Sequence, residues 1–309
     1  MKSNVKLPEI YQTRLMRNEP LARYTAARLG GPADWLYIAR DSTEELVTVI
    51  ATAWQQGIPV RLLGGGANVL VSDKGIRGLV VINDVTEIAF GDWHEGRNVS
   101  ATGGAGLTIL ARKCQAQGLS GLEWAVSVPG TVGGAVVNNA GAHGSDMATV
   151  VRDVVLFDTT KGVQMLTVDD LAYDYRYSSL KGRLDRRFLV LMATFALTKA
   201  DPPQIKAQMD RFLEHRRRTQ PPGASLGSIF KNPPGDYAGR LIDSIGLKGH
   251  TIGGVQVSPV HANFFINSEN GTASDYYALI RYVRDSVRRE TGVELELEIE
   301  IIGEWGEIE

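Results

Sequence analysis

Two stretches of the chain have the residue types that hold phosphate. In LLGGGANVLVSD, Gly64, Gly65 and Gly66 follow an apolar run and precede Ala67 and Asn68. In VPGTVGGAVVNNAGAHG, Gly130, Gly133, Gly134, Gly141 and Gly144 are spaced among small and polar residues. Glycine lets the main chain approach a ligand closely, and successive free N–H groups form a concavity suited to phosphate oxygens. A tight turn between strands accounts equally well for three glycines alone. A Rossmann loop does not, because it needs a helix directly after the glycines and VLVSD is strand-like. The GGAG at 103–106 precedes a helical pattern but lacks the full glycine spacing. The run 127–144 has no clear period and is too flexible to stabilise a fold by itself, so it suits wrapping around a polyanionic cofactor that orders it.

The segments around these loops must position them. After an Asp41-Ser42-Thr43 cap signal, TEELVTVIATAWQQ places Leu46, Val49, Ile50, Ala53 and Trp54 at helical spacing, and Gly57 stops it. IPVRLL reads as a buried strand, LVSD and LVVIND as short strands, 98–102 as a strand and LTILARKCQAQ as a helix. Residues 150–200 read as strands with turns, and Asp201-Pro202-Pro203 as a boundary. A charged helix at 204–218, a compact αβ unit at 225–267, a helix at 273–290 and an alternating strand at 293–302 complete the chain. Three composition blocks predict an α+β protein of two or three lobes.

Bulk properties narrow the function. With 309 residues, 43% hydrophobic and 22% charged, the chain has an ordinary globular composition and room for more than one core. A net charge of -2 gives no reason to expect nucleic acid or an anionic membrane as partner. The single cysteine, Cys114, excludes an internal disulfide and thiolate metal clusters, and it fits a reducing compartment. MKSNVKLPEIYQ is not the apolar stretch of a signal peptide, and no segment approaches the roughly 20 apolar residues of a membrane span. A cytoplasmic location is expected.

YTAARLGGPAD, LLGGGANVLVSD, SVPGTVGGAVVNNAGAHG, YDYRYS, LGSIFKNP, AGRLIDSIGLKG, VSPVHANFFIN and LELEIEIIG, in this order, resemble the UDP-N-acetylenolpyruvoylglucosamine reductase family over nearly the whole length. The short interval after YRYS resembles its second type, which lacks an inserted tyrosine-bearing loop over the substrate. The resemblance implies a vanillyl-alcohol-oxidase-like FAD-binding fold of two lobes plus a smaller α+β substrate-binding domain. It implies noncovalent FAD, held at Gly64, Gly65, Gly66, Ala67 and Asn68, and at Gly130, Thr131, Gly133, Gly134, Asn139, Ala140 and Gly141. Arg176, Ser228 and Glu298 match the family's catalytic residues, and Asn232 a substrate-contacting asparagine. The sequence departs from the pattern at Ser127, His143, Leu297 and Glu300. Glu296 and Glu300 share a strand face with Glu298; the distance to Ile301-Ile302-Gly303 selects Glu298.

The implied reaction reduces the enolpyruvyl group of a UDP-sugar, with NADPH supplying electrons through FAD, in making cell-wall precursor. Negative charge spreading into the substrate carboxylate suits a bidentate guanidinium, Arg176. The adjacent carbon needs a proton, and Ser228 is the expected general acid. Glu298, if protonated, would donate a hydrogen bond to the same intermediate. Arg217, Arg218 or Gln220 is placed to reach the UDP diphosphate, and His261 to face substrate. Plainer roles compete. Serine after glycine is commonly a turn residue, and an arginine between tyrosines a stacking residue. Strand glutamates make a solvated face, HRRRTQPP fits a solvated helix C-terminus, His261 is equally a structural residue, and Cys114 fits a core. The expected lobes are 1–90, 91–203 and a substrate domain at 204–292, with 293–309 returning to the FAD-binding part of a monomer. The rivals are an FAD oxidase of the same fold and a non-catalytic nucleotide-binding partner protein.

Overall fold

The computed structural model describes residues 5–91, 98–268 and 270–306; the first four residues of the segment MKSNVKLPEIYQ lie outside them. The first sheet has the order Met16–Pro20, Pro32–Ala39, Ile76–Asn83, Val60–Leu63, with the first pair antiparallel and the others parallel. The predicted helix spans Thr43–Gln55, capped by Ser42 Oγ, which accepts from Glu45 N. It buries Leu46, Val49, Ile50 and Ala53 against this sheet. Beneath its first turn lies a buried carboxylate. Glu45 accepts from Tyr37 Oη at 2.5 Å, Arg40 N at 3.0 Å and Asp41 N at 2.7 Å, and pairs with Arg14 at 2.8 Å. Every lone-pair direction is used, so the charge is tolerated where little water reaches it.

A second, antiparallel sheet has the order Gly162–Thr167, Val151–Asp158, Phe188–Ala196, Asn98–Thr102, Ile88–Gly91. Its central strand, FLVLMATFA, is apolar nearly throughout because both faces are buried. Val190, Ala193 and Phe195 join the core under helices Leu107–Ala116 and Val132–Asn138. Leu189 and Leu191 face the core of the first sheet, beside Trp35 and Tyr37. Cys114 lies within the former core, where burial pushes its thiol up to about 12; it is a packing residue.

The chain then forms a three-stranded antiparallel sheet, Thr251–Ile252, Val255–Val257 and Phe265–Asn267, packed with helices Ala238–Ser244 and Ala273–Thr291. Asp73, from beyond the first glycine loop, accepts from Ala273 N and Ser274 N, both at 2.8 Å, and so ties that helix start to the first lobe.

Four local expectations are corrected. The run 127–144 contains a helix, Val132–Asn138, which buries Val132, Ala135 and Val136. Gly133 there donates to Gly103 O at 2.8 Å, and a Cβ would lie 3.0 Å from that oxygen, so this glycine serves close packing. Val60, Arg61 and Leu62 are half-buried rather than buried, because they form a cavity wall. Pro202 and Pro203 open a helix, Pro202–Thr219, instead of ending a block; proline lacks only an N–H that the first turn leaves unpaired anyway. Ile205 and Met209 of this helix join the core of the second sheet. Finally, 293–302 is not one strand. Only Glu300–Ile302 is, pairing in parallel with Val69–Val71. Before it, Lys231 N donates to Glu296 O and Glu298 N to Ile229 O. The alternating pattern serves two successive partners, which one straight strand cannot reach.

Replacing Glu45 by alanine strands the Tyr37 hydroxyl and two backbone N–H groups. Chemical denaturation should show a loss of about 3 kcal/mol; an unchanged midpoint would refute the role given to this carboxylate.

Candidate active site

The two glycine loops face each other. A Cβ on Gly64 would lie 2.2 Å from Thr131 Oγ1, and one on Gly65 3.3 Å from Gly130 Cα. Gly66 has φ +59°, and a Cβ there would lie 2.0 Å from Tyr24 O. Glycine is required at this position by conformation and by space. Among the described residues no acceptor takes the N–H groups of Gly65, Gly66 or Ala67. The loops form one wall of a cavity of about 740 Å³, within the range of small-molecule sites. A main-chain wall with unclaimed donors fits the diphosphate of a dinucleotide such as FAD.

Of the residues assigned to such a cofactor, Gly64, Gly65, Gly66, Ala67 and Asn68 line the cavity, as do Gly130, Thr131, Gly133, Gly134, Ala140 and Gly141. Asn139 does not. It is buried at φ +44°, ends the Val132–Asn138 helix and donates to Asp174 O at 2.9 Å while accepting from Ala148 N. It shapes the loop rather than the wall.

Arg176, Ser228 and Glu298 come from three distant segments and line the same cavity. Arg176 donates from Nε to Glu298 Oε1 at 2.7 Å and from an Nη to Gly141 O at 2.9 Å. Its own φ is +55°, a conformation that costs a non-glycine residue energy and persists where surroundings over-determine it. Lys181 helps, donating to Arg176 O at 3.1 Å. Ser228 follows Gly227, whose φ is +76°, and bridges Phe264; among the described residues its hydroxyl has no partner.

The cavity also holds charges that the sequence did not single out. Glu300, two residues beyond Glu298, ion-pairs with Arg186 and with Arg61 at 3.5 Å. Arg61, Arg176, Lys181, Arg186 and Arg216 are five cations against two carboxylates, Glu298 and Glu300, in the cavity lining. Burial pulls the Lys181 ammonium down, with nearby Lys231 adding to it and Glu300 and Glu298 opposing. The excess of positive charge favours an anionic ligand. Their signal was present in part: Arg61 lies in the strand that runs into the glycine loop, three residues before Gly64, and Glu300 departs from the family pattern.

The four residues expected to touch substrate divide. Gln220 lines the cavity with its Oε1 buried and unpaired. Arg217 is exposed outside the cavity, whereas Arg216 lines it, because the helix turns by about 100° per residue. Arg218 also faces solvent and pairs with Glu214. Asn232 lies outside the lining and accepts from Ala238 N at 3.1 Å at the start of a helix. His261 lies outside it too, with Nδ1 accepting from Asn263 N at 3.2 Å and its ring packed edge-on against Phe264.

The chain is similar to known proteins over nearly its whole length. Residues 36–163 match the FAD binding domain family, and residues 219–302 the C-terminal domain of UDP-N-acetylenolpyruvoylglucosamine reductase. The expected α+β, FAD-binding fold is thereby borne out. The UDP-N-acetylenolpyruvoylglucosamine reductase of Caldanaerobacter subterraneus is 41% identical over 302 residues, 97% of each chain. Reductase 2 of Symbiobacterium thermophilum is 43% identical over 95% of this chain and 92% of its own. The crystal structure of the Thermus caldophilus reductase, 33% identical, superposes with a TM-score of 0.75 over 93% of this chain and 99% of that one. The chain belongs to the UDP-N-acetylenolpyruvoylglucosamine reductase family.

Proposed function

We propose that the protein is an NADPH-dependent flavoenzyme that reduces UDP-N-acetylglucosamine enolpyruvate to UDP-N-acetylmuramate for peptidoglycan precursor synthesis. The observation that carries this is the convergence of Arg176, Ser228 and Glu298 on the cavity whose other wall is the glycine cradle. The backbone of Gly64–Asn68, Gly130–Gly134 and Ala140–Gly141 would hold FAD noncovalently, and FAD bound there would supply the hydride. Arg176 binds the substrate carboxylate, where charge develops, through donors not used on Gly141. Glu298 fixes the guanidinium through Nε, which leaves its outer edge for substrate. Ser228 delivers the proton to the carbon next to the carboxylate. Residues 220–292, with the returning segment that ends in strand Glu300–Ile302, receive the sugar nucleotide beside the two flavin lobes, the second of which takes in helix Pro202–Thr219. The enzyme works as a monomer in the cytoplasm. Among the described residues no helix is long and apolar enough to cross a membrane, and no His, Cys, Asp or Glu group forms a metal site.

The decisive measurement is NADPH absorbance with and without the enolpyruvyl UDP-sugar. Turnover requiring oxygen but no nicotinamide would overturn the proposal. Ser228→Ala should still let NADPH bleach the flavin, yet product formation should fall by about 100-fold or more; loss of the first half-reaction instead would sink the role of Ser228. Arg176→Lys keeps the charge but not the planar fork, so the second half-reaction should slow by roughly 100-fold. Gly66→Ala meets Tyr24 O, and the purified protein should be colourless; retention of a full flavin spectrum would refute the cradle.

A further inference from the structure

Arg176 is held in a conformation that its residue type does not favour. Asp174 N donates to Tyr177 O at 3.2 Å and Tyr177 N to Asp174 O at 3.0 Å, so residues 174–177 form a tight turn. Arg176 is its third residue, with φ +55°, a place where type II turns take glycine or asparagine. Neutral groups tie down the flanks of the turn. Asn139 Nδ2 donates to Asp174 O, and Ser178 Oγ to Val137 O, which anchors both sides on the Val132–Asn138 helix and its end. The carbonyl of Arg176 is instead reached by a charge, Lys181 Nζ, at 3.1 Å.

A charge is a costly way to hold a carbonyl. Lys181 is half-buried and lines the cavity. Among the described residues its ammonium has no carboxylate partner, and its one acceptor is the Arg176 carbonyl. A neutral donor would make the same bond without desolvating a charge. The charge-assisted bond is the stronger one, and a left-handed arginine persists only where its surroundings over-determine it. Lys181 N donates to Ser178 Oγ at 3.2 Å, which shapes the loop so that the side chain reaches back to Arg176. From the clamped backbone the guanidinium runs to Glu298 and Gly141, so a shift of the turn moves the donors left for substrate. We infer that Lys181 is a positioning residue for substrate reduction: it clamps the Arg176 carbonyl and thereby aims the guanidinium at the substrate carboxylate. The inference rests on the role proposed for Arg176.

The clamp has a pH signature. Burial first, then nearby Lys231 and more weakly Arg186, draws the ammonium below the ordinary lysine range, while Glu300 and Glu298 oppose them. These are the charged groups that face it: Lys231 from the segment after Ser228, Glu298 and Glu300 from the returning end of the chain, and Arg186 from the turn before strand Phe188–Ala196. Lys231 is itself paired with Glu296 at 3.1 Å. The protonated amine holds the carbonyl; as pH rises through the lowered range, the charge is lost and the clamp weakens. Substrate reduction therefore slows at a pH below that at which an ordinary lysine titrates. Reduction of the flavin by NADPH, in which Arg176 is given no role, does not share this alkaline limb.

The test follows the two half-reactions of the FAD-loaded protein separately by stopped-flow absorbance. Lys181→Met should leave bleaching of the flavin by NADPH unchanged. It should slow reoxidation of the reduced flavin by the enolpyruvyl UDP-sugar by about tenfold or more, the effect of a misplaced binding group. The same variant should bind that substrate more weakly to the oxidised protein, read without NADPH as the perturbation of flavin absorbance. Lys181→Arg keeps a charged donor at every pH; it should restore most of the rate and remove the alkaline limb that the wild type shows in the second half-reaction alone. Lys206→Met, the same change at an exposed position outside the cavity, should alter neither half-reaction. Equal slowing of both half-reactions, or loss of FAD from Lys181→Met, would make the lysine a brace of the fold and overturn the inference. So would an alkaline limb that persists in Lys181→Arg, or a Lys181→Met protein that reduces substrate at the wild-type rate. Should Lys181→Met fail to fold, the wild-type limb and its loss in Lys181→Arg decide the question by themselves. A wild type that NADPH bleaches but the sugar nucleotide does not reoxidise refutes the proposed function and this inference with it. Every other failure named here occurs in a wild type that turns over, so the two are distinct.

Discussion

Ile301 pairs with Leu70, and Ile302 with Val71, in a two-stranded parallel ladder that joins the end of the chain to the segment just after the first glycine loop. Glu300 N donates to Asn68 O, and Asn68 Nδ2 donates to Glu298 O at 3.1 Å. These bonds place Glu298 beside the first glycine loop, although 230 residues separate Asn68 from Glu298 in sequence. The position of Arg176 follows, since its Nε reaches Glu298 and its Nη reaches Gly141 of the second glycine run. The ladder is short, but it closes a very long loop, so the packing that supports it must offset a large loss of chain entropy. Asp73 supplies part of that support by capping the helix of the third lobe, and Trp305 Nε1 donates back to Ile302 O.

Electrostatics along the cavity follow one pattern. The half-buried charges around the catalytic residues have partners: Arg176 with Glu298, and Glu300 with Arg186 and Arg61. Paired in this way, the charges stay fixed in direction and leave outer donors for a ligand. Lys181 is the exception in kind, an ammonium whose burial favours the neutral form and whose proton is directed at the Arg176 carbonyl. It therefore helps to hold the backbone of Arg176. Arg216, in the last turn of the Pro202–Thr219 helix, donates instead to the carbonyl of Ser127.

Much of the fold was legible in the sequence. The Thr43–Gln55 helix, the strands Ile76–Asn83, Asn98–Thr102 and Phe188–Ala196, and the helix Ala273–Thr291 follow from local period and caps. Local rules act within a few residues, and these elements satisfy them without outside help. The elements misjudged from sequence depend on distant partners. LELEIEII reads as one strand because alternation does not reveal that residues 296–298 pair with 229–231 and 300–302 with 69–71. The 127–144 run hides a helix because its glycines are there to let Gly103 and the second sheet approach.

For the site, the sequence by itself determined the residue types and the order of the motifs: two glycine loops, an arginine in YRYS, a serine in GSIF and glutamates at the end. Covalent order and residue chemistry are local, so they can be read along the chain. Tertiary structure alone decided that Arg176 meets Glu298, that Glu300 turns to Arg61 and Arg186, that Arg216 rather than Arg217 lines the cavity, and that Asn232 and His261 point to their own backbone neighbours. Which face of a helix meets a cavity, and which of several like charges finds a partner, depends on packing between segments hundreds of residues apart. No local pattern encodes that distance.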